Sequence, residues 1–149
     1  MAWTIPKTWN VGDVLTSTDL NTYVRDNSSF LYGDTNEVAV TIASGWANFG
    51  GGFLPLNVRK FGSFGVVSGL VFNNSGVTTN YPSTMGTLPI GYQPAATAIA
   101  SGIVGSSPIV LARIDIGFNA TISIQSAAAG TGIGNAVWLV IPPSIYTLI

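Results

Sequence analysis

From residue 38 to residue 149 the chain carries only four charged side chains, Arg59, Lys60, Arg113 and Asp115, whereas five of its six acids (Asp13, Asp19, Asp26, Asp34 and Glu37) stand in the first 37 residues. An ordinary soluble domain is about 25% charged; this chain of 149 residues reaches 7%. The break divides it into a short segment, 1–37, and a long one, 38–149. A folded monomer of this mass exposes roughly 7,000 Å², so each charge would serve about 600 Å² of surface. Neutral polar groups must clothe such a particle, or copies of itself and other proteins must cover it, and the second is the expectation here.

The same poverty removes most chemistry. With no Cys and no His, disulfides, thiolate and imidazole catalysis and nearly all zinc, copper and haem sites drop out, and no cofactor or metal is expected. Glycoside hydrolysis needs two facing carboxyls, and the long segment has Asp115 alone; Arg113 and Asp115, two residues apart on one strand face, read as a solvated ion pair. The chain is expected not to be an enzyme. A net charge of -1 offers no footprint for nucleic acid. Residues 93–112 lack charge but hold Ser101, Gly102, Gly105, Ser106, Ser107 and Pro108, so no membrane insertion is expected. The opening Met1-Ala2-Trp3-Thr4-Ile5-Pro6-Lys7 lacks the pattern of a secretory signal. Use without export is expected, and the sequons at Asn27, Asn73 and Asn119 then carry no meaning. Gly130-Thr131-Gly132-Ile133-Gly134 lacks the Lys of a phosphate loop and reads as a strand connection.

Periodicity separates the two segments as composition does. Thr16-Ser17-Thr18-Asp19 is a helix start of the capping-box kind, and Leu20, Tyr23, Val24, Asn27, Phe30 and Leu31 recur at helical steps before Gly33. Leu20, Val24, Asn27 and Leu31 form a short seam. It lies against its own domain, or it self-associates with Asn27 setting register. Upstream, Trp3, Pro6 and Trp9 make a stiff aromatic arm suited to docking into a neighbour. After residue 37, alternation at Val38-Val40-Ile42, Ile114-Ile116 and Ile122-Ile124 predicts half-buried antiparallel strands. The runs from Phe64 to Phe72 and Ala136 to Ile141 are apolar on both parities, so a second sheet or another subunit must cover both faces. Turn residues at Gly50-Gly51-Gly52, Asn73-Asn74-Ser75-Gly76, Pro82, Pro89 and Pro142-Pro143 punctuate seven or eight short strands. The expected fold is mainly β, an antiparallel sandwich or jelly-roll-like domain preceded by an arm and one short helix.

Rings are the recognition resource that remains. Trp46, Tyr81 and Tyr92, with Phe49, Phe53, Phe61, Trp138 and Tyr146, are core unless a loop turns them outward, where they stack on sugar rings or a neighbouring subunit. Arg59-Lys60 is a solubilising edge pair, or it meets a phosphate, an acidic sugar or a neighbour's carboxylate.

Ala2-Trp3-Thr4, Pro6, Trp9, Gly12-Asp13-Val14-Leu15-Thr16, Asp19-Leu20-Asn21, Val24-Arg25-Asp26-Asn27 and Phe30-Leu31 together resemble an N-terminal signature of tailed-bacteriophage virion structural proteins. Trp46, Pro55-Leu56, Val58-Arg59-Lys60, Gly65-Val66-Val67-Ser68-Gly69 and Thr87-Leu88-Pro89-Ile90-Gly91-Tyr92-Gln93-Pro94 look like the β-rich heads of phage fibres, with Gln93 where Arg is usual. The resemblance implies a homotrimer in the virion, assembled in the bacterial cytoplasm. Its arm and helix (Trp3, Pro6, Trp9, Leu20, Val24, Asn27, Leu31) would attach to other tail or capsid proteins. Its head, 38–149, would project as a tail fibre or receptor-binding protein touching host-surface glycan, with Trp46, Arg59, Lys60, Tyr81 and Tyr92 as ligand or subunit contacts. The alternative is a capsid decoration or head-fibre protein that stabilises the shell as a trimer.

Overall fold

The computed structural model describes residues 4–31, 36–105, 108–128 and 132–149, with backbone alone for residues 30 and 31. The expected capping box is present. Thr16 Oγ1 accepts from the Asp19 N–H at 3.1 Å, and the Asp19 carboxylate accepts from the Thr16 N–H at 3.3 Å. This starts α1 (Ser17–Asp19), which widens into a π-helical stretch (Leu20–Asp26) and closes as α2 (Asn27–Leu31). A π-helix turns less per residue than an α-helix, and the face predicted from 3.6-residue spacing is covered only in part. Leu20 and Val24 stay exposed, and Asn27 is buried at 4%.

The remainder is antiparallel β: β1 (Val38–Ala39), β2 (Thr41–Ile42), β3 (Trp46–Asn48), β4 (Asn57–Phe61), β5 (Phe64–Asn73), β6 (Thr79–Asn80), β7 (Ser83–Thr87), β8 (Ala98–Gly105), β9 (Val110–Ile116), β10 (Thr121–Ala127), β11 (Gly132–Ile133) and β12 (Trp138–Thr147). A ten-stranded sheet runs in the order β1-β4-β5-β12-β8-β9-β10-β7-β2, with β3 also on β5. Its first and last members are successive pieces of one segment. Val38 and Ala39 pair with β4, Val40 donates to the Leu56 carbonyl at 3.2 Å, and Thr41 and Ile42 pair with β7. The sheet thereby curls into a barrel. The β12–β8 ladder covers only Trp138, Leu139 and Val140, so the wall is nearly rather than fully closed.

Alternation fills the interior. Val58, Val67, Val71, Met85, Ile114, Ile122, Ile124, Leu139 and Ile141 are all at or near zero exposure. Burying such side chains is worth about 1.5–3 kcal/mol each against leaving them in water. Trp46 belongs to this core at 6% exposure, its ring N–H donating to Ser83 Oγ at 3.1 Å. Pro142-Pro143, expected to end a strand, instead lie inside β12. There the register jumps from Ile141 opposite Gly69 to Ser144 opposite Val67, a bulge that sets the two prolines, neither with an N–H to donate, against Ser68. At Gly69, with φ 151, an added Cβ would stand 2.5 Å from the Leu56 backbone. Only glycine lets the 54–56 segment cross β5 this closely.

Register gives the barrel two distinct ends. Residues 36–38 lead into it at the end bounded by the β4–β5 turn and the 117–120 turn, and β2 climbs from there beside β7. The connections leaving β5 and β8 and preceding β7, β9 and β12 all gather at the opposite end. No helix among the described residues is long and apolar enough to cross a membrane.

Candidate functional site

Strands β5 and β12 are adjacent, so their second apolar parity forms one continuous outer surface. Cross-strand pairs Phe72–Trp138 and Leu70–Val140 continue onto β8 through Trp138–Gly105 and Val140–Ile103, and onto β9 through Ile103–Leu111. The Trp138 ring lies flat enough on Gly105 that an added Cβ would meet it at 1.7 Å, an aromatic covering a bare strand backbone. The 49–54 loop shields part of this surface, Phe49 standing edge-on to Phe72 at 6.1 Å and to Phe53 at 5.4 Å. Between loop and sheet is a cleft of about 580 Å³ lined by Phe49, Phe53, Leu54, Leu70, Trp138, Val140 and Pro142, with Ser68 the one polar side chain. Ile99, Leu111 and Ile145, at 67%, 66% and 70% exposure, extend the apolar flank. Its ions, Arg113 and Asp115, close on each other through bonds of 2.8 and 3.0 Å. This is the ion pair expected from their spacing, and it holds the Arg113 guanidinium above its ordinary pKa.

The other flank is different in kind. Outward positions on β10, β7, β2 and β4 are Thr121, Ser123, Gln125, Thr84, Thr87, Thr41, Asn57 and Arg59. Hydroxyls and amides also dominate the end away from residues 36–38. Asn73, fully buried, donates to the carbonyls of Val77 and Ile133 at 2.8 Å each and accepts from the Ser75 N–H at 3.0 Å and Thr79 Oγ1 at 3.1 Å. Asn135 Oδ1 takes the Gly76 N–H at 3.0 Å. Held by this network, Asn74, Ser75, Thr78, Asn80 and Asn135 face solvent beside the half-buried Tyr81. Burial raises the Tyr81 pKa, so near neutral pH its phenol both donates and accepts. Such a rim presents groups that both donate and accept hydrogen bonds.

In the N-terminal segment the arm folds back on its own helix. Asn27 clamps Thr4 from both sides, its Oδ1 accepting from the backbone N–H at 2.9 Å and its Nδ2 donating to the carbonyl at 2.8 Å. Trp9 stands edge-on to Tyr23 at 6.5 Å, and Lys7 lies 4.4 Å over Trp9 and 3.4 Å from Asp19. Ile5, Val11, Val14, Leu15, Leu20 and Val24 remain exposed.

The predicted contact residues are thus scattered. Trp46 is corrected to core and cannot stack on a ligand. Arg59 and Lys60 alternate across the strand and point to opposite faces, Arg59 standing 5.5 Å over Phe61, so the pair is not one basic patch. Tyr81 lies at the hydroxyl-rich end. Tyr92 packs half-buried on the core at the other end, its carbonyl accepting from Tyr146 Oη at 2.9 Å. Pro6, Trp9, Leu20 and Val24 are exposed, Asn27 bonds to Thr4 within its own chain, Leu31 ends α2, and Trp3 lies outside the described residues. Sequence reasoning missed the cleft. Its signal was available in the adjacent doubly apolar runs, but which strands neighbour one another was not. Among the described residues, no three His, Cys, Asp or Glu side chains gather as a metal site would require.

Comparison with solved structures places this architecture. The head domain of lactococcal phage bIL170, described in work asking whether the receptor-binding domains of lactococcal phages share a common fold, superposes with a TM-score of 0.59 at 19% identity. The match covers 76% of this chain and 98% of that one. The receptor-binding protein of Listeria phage PSA superposes with a TM-score of 0.56 at 23% identity, covering 82% of this chain and 70% of that one. The fold is similar to that of phage receptor-binding head domains. No protein-family model matches the sequence, and no curated protein sequence matches it. At these identities the head-domain likeness is one of fold.

Proposed function

We propose that this chain is a non-enzymatic phage virion protein of the receptor-binding type, its barrel acting as a head that touches neutral host-surface glycan and residues 1–37 attaching it to the particle as a homotrimer. The observation that carries this is the polarity of a head-type barrel. The chain leads in at one end, and an uncharged rim of Asn74, Ser75, Thr78, Asn80, Tyr81 and Asn135 stands at the other. Sugar hydroxyls need partners that both donate and accept, and amides and hydroxyls supply them. The apolar cleft on the flank has almost none, so a glycan there would leave its own hydroxyls unsatisfied. The exposed apolar side chains of the arm fit burial in a neighbouring virion protein.

The test is immunogold labelling of intact virions together with cell binding. Antibody against the purified chain is expected at the tail tip, and the labelled chain is expected to bind host cells and be displaced by host cell-wall polysaccharide. Asn80→Ala with Tyr81→Ala should weaken that binding at least tenfold. Label spread over the shell, with no cell binding, would replace this reading by the capsid decoration one.

A further inference from the structure

The barrel end into which residues 36–38 lead is apolar where turns are ordinarily polar. Pro89-Ile90-Gly91-Tyr92 closes as a turn, the Tyr92 N–H donating to the Pro89 carbonyl at 3.2 Å and Gly91 taking a φ of 83. Gly117-Phe118-Asn119-Ala120 closes likewise, the Ala120 N–H donating to the Gly117 carbonyl at 2.9 Å. Each turn puts a large apolar side chain at a corner where Gly, Pro, Asn, Asp and Ser are the usual residues. Ile90 is 95% exposed and Phe118 65%. Neither is loose. The Leu88 N–H donates to the Ala120 carbonyl at 2.8 Å and ties the two turns together, while Leu88 and Tyr92, on either side of Ile90, pack into the core. Nearby polar side chains fold onto their own turns. Gln93 Oε1 accepts from the Gly91 N–H, and Asn119 Oδ1 accepts from Thr121 Oγ1, both at 2.8 Å. At the opposite end, Asn74, Ser75 and Asn135 face solvent instead.

We infer that this end is a seat, where Ile90 and Phe118 press on the same virion protein that takes up the arm and helix. The inference rests on the attachment role proposed above for residues 1–37 and adds a second, rigid contact on the barrel itself. Chain length chooses the occupant. Leu31 closes the helix and Asn36 begins the run into the barrel, and the five residues of chain between them reach no further than about 18 Å. A protein that holds the helix is therefore kept beside this end, at the millimolar effective concentration a short tether gives. The chain's own helix is not the cover, because Leu20 and Val24 on the helix and Ile90 and Phe118 on the turns are all bare together. Residues 88–98 and 117–124 hold no charge, so the matching surface is apolar, as it is for the exposed Val14 and Leu15 of the arm. A tether alone leaves the barrel free to swing. Seated at this end, it points its hydroxyl-rich rim away from the particle.

Because the chain has no cysteine, single cysteines read the seat directly. Ile90→Cys is expected to react with a maleimide as an exposed thiol in the free chain, and roughly tenfold or more slowly on intact virions. Asn80→Cys on the rim should react equally in both. Phage particles lacking the chain, supplied with purified full-length protein, measure the strength of the contact. Ile90→Asp with Phe118→Asp should raise the concentration for half-maximal attachment roughly tenfold or more. Both side chains already stand in solvent, so circular dichroism, the urea midpoint and binding to host cells should stay at wild-type values, and Thr84→Asp on the barrel wall should attach as wild type does. Full reactivity of Ile90→Cys on virions, or wild-type attachment of the aspartate pair, overturns the seat. Protection already present in the free chain overturns it too, the cover then being the chain's own arm or, where protection grows with concentration, a second copy. Failure of the attachment reading looks different: wild type itself does not bind the depleted particles, and the seat falls with it. A protected seat on a chain that never binds host cells keeps this inference and sinks the receptor-binding reading instead.

Discussion

Asn73 and Tyr146 are single side chains on which whole ends of the barrel depend. Replacing Asn73 by Ala takes the partner from two carbonyls and two donors, of which the bond to the Ile133 carbonyl is the fully buried one. At about 1–3 kcal/mol for each group left unsatisfied, and with some of them reached by water, Asn73→Ala should lower stability by about 3 kcal/mol in urea unfolding. It should also loosen the rim that Asn73 organises. Tyr146→Phe removes one bond to the Tyr92 carbonyl and should lower stability by about 1 kcal/mol. Burial pushes the Tyr146 phenol above its ordinary pKa, and the folded state therefore favours the protonated form. The stability this contributes is fully present below the unfolded value near 10 and is lost as pH rises above it. Tyrosinate absorbance should consequently show a component that appears only together with alkaline unfolding, and that component should vanish in Tyr146→Phe.

Among the elements, the arm and its helix behave as one clamp. Asn27 makes two bonds to Thr4, together about 2 kcal/mol at typical values, equivalent to roughly thirtyfold in an opening equilibrium. Trypsin should cut after Lys7 ten to thirty times faster in Asn27→Ala than in wild type, with the barrel's urea midpoint unchanged; equal rates would show that the arm is held by something else. Within the barrel, β5 hands its partner from β4 to β3 around Gly69. Gly69→Ala drives a Cβ into the Leu56 backbone and should cost more than about 3 kcal/mol, since neither strand can give way without losing ladder bonds.

For the whole molecule, a barrel with almost no ions is a barrel almost indifferent to salt and to mid-range pH. There is no His or Cys to titrate, so the urea midpoint should be flat between about pH 5 and 9 and should not fall when salt screens surface charge. Below that plateau Asp19 matters. The Thr16 hydroxyl, backbone bonding and Lys7 hold its carboxyl below the usual value. Its contribution is present above the unfolded pKa near 3.8 and fades as pH falls through the lower folded value. Helix loss should therefore be seen by circular dichroism at acid pH before the β signal changes. A midpoint that tracked salt across the plateau would mean that the few surface ion pairs carry more of the stability than their exposure allows.

Local rules were enough for everything that depends on neighbours in sequence. The capping box at Thr16 and Asp19, the ion pair of Arg113 and Asp115, the inward parity of Ile114, Ile116, Ile122 and Ile124, and the mainly antiparallel β class were all legible, because each is set by side chains two to four residues apart. Long-range pairing decided the rest. The pleat alone separates Arg59 from Lys60, but only the fold puts Trp46 in the core and carries Pro142-Pro143 through a strand as a bulge. Sequence determined that β5 and β12 had two apolar faces. Tertiary structure decided that these strands lie side by side, so that their inner faces fill one core and their outer faces merge into a single flank that the 49–54 loop covers only in part.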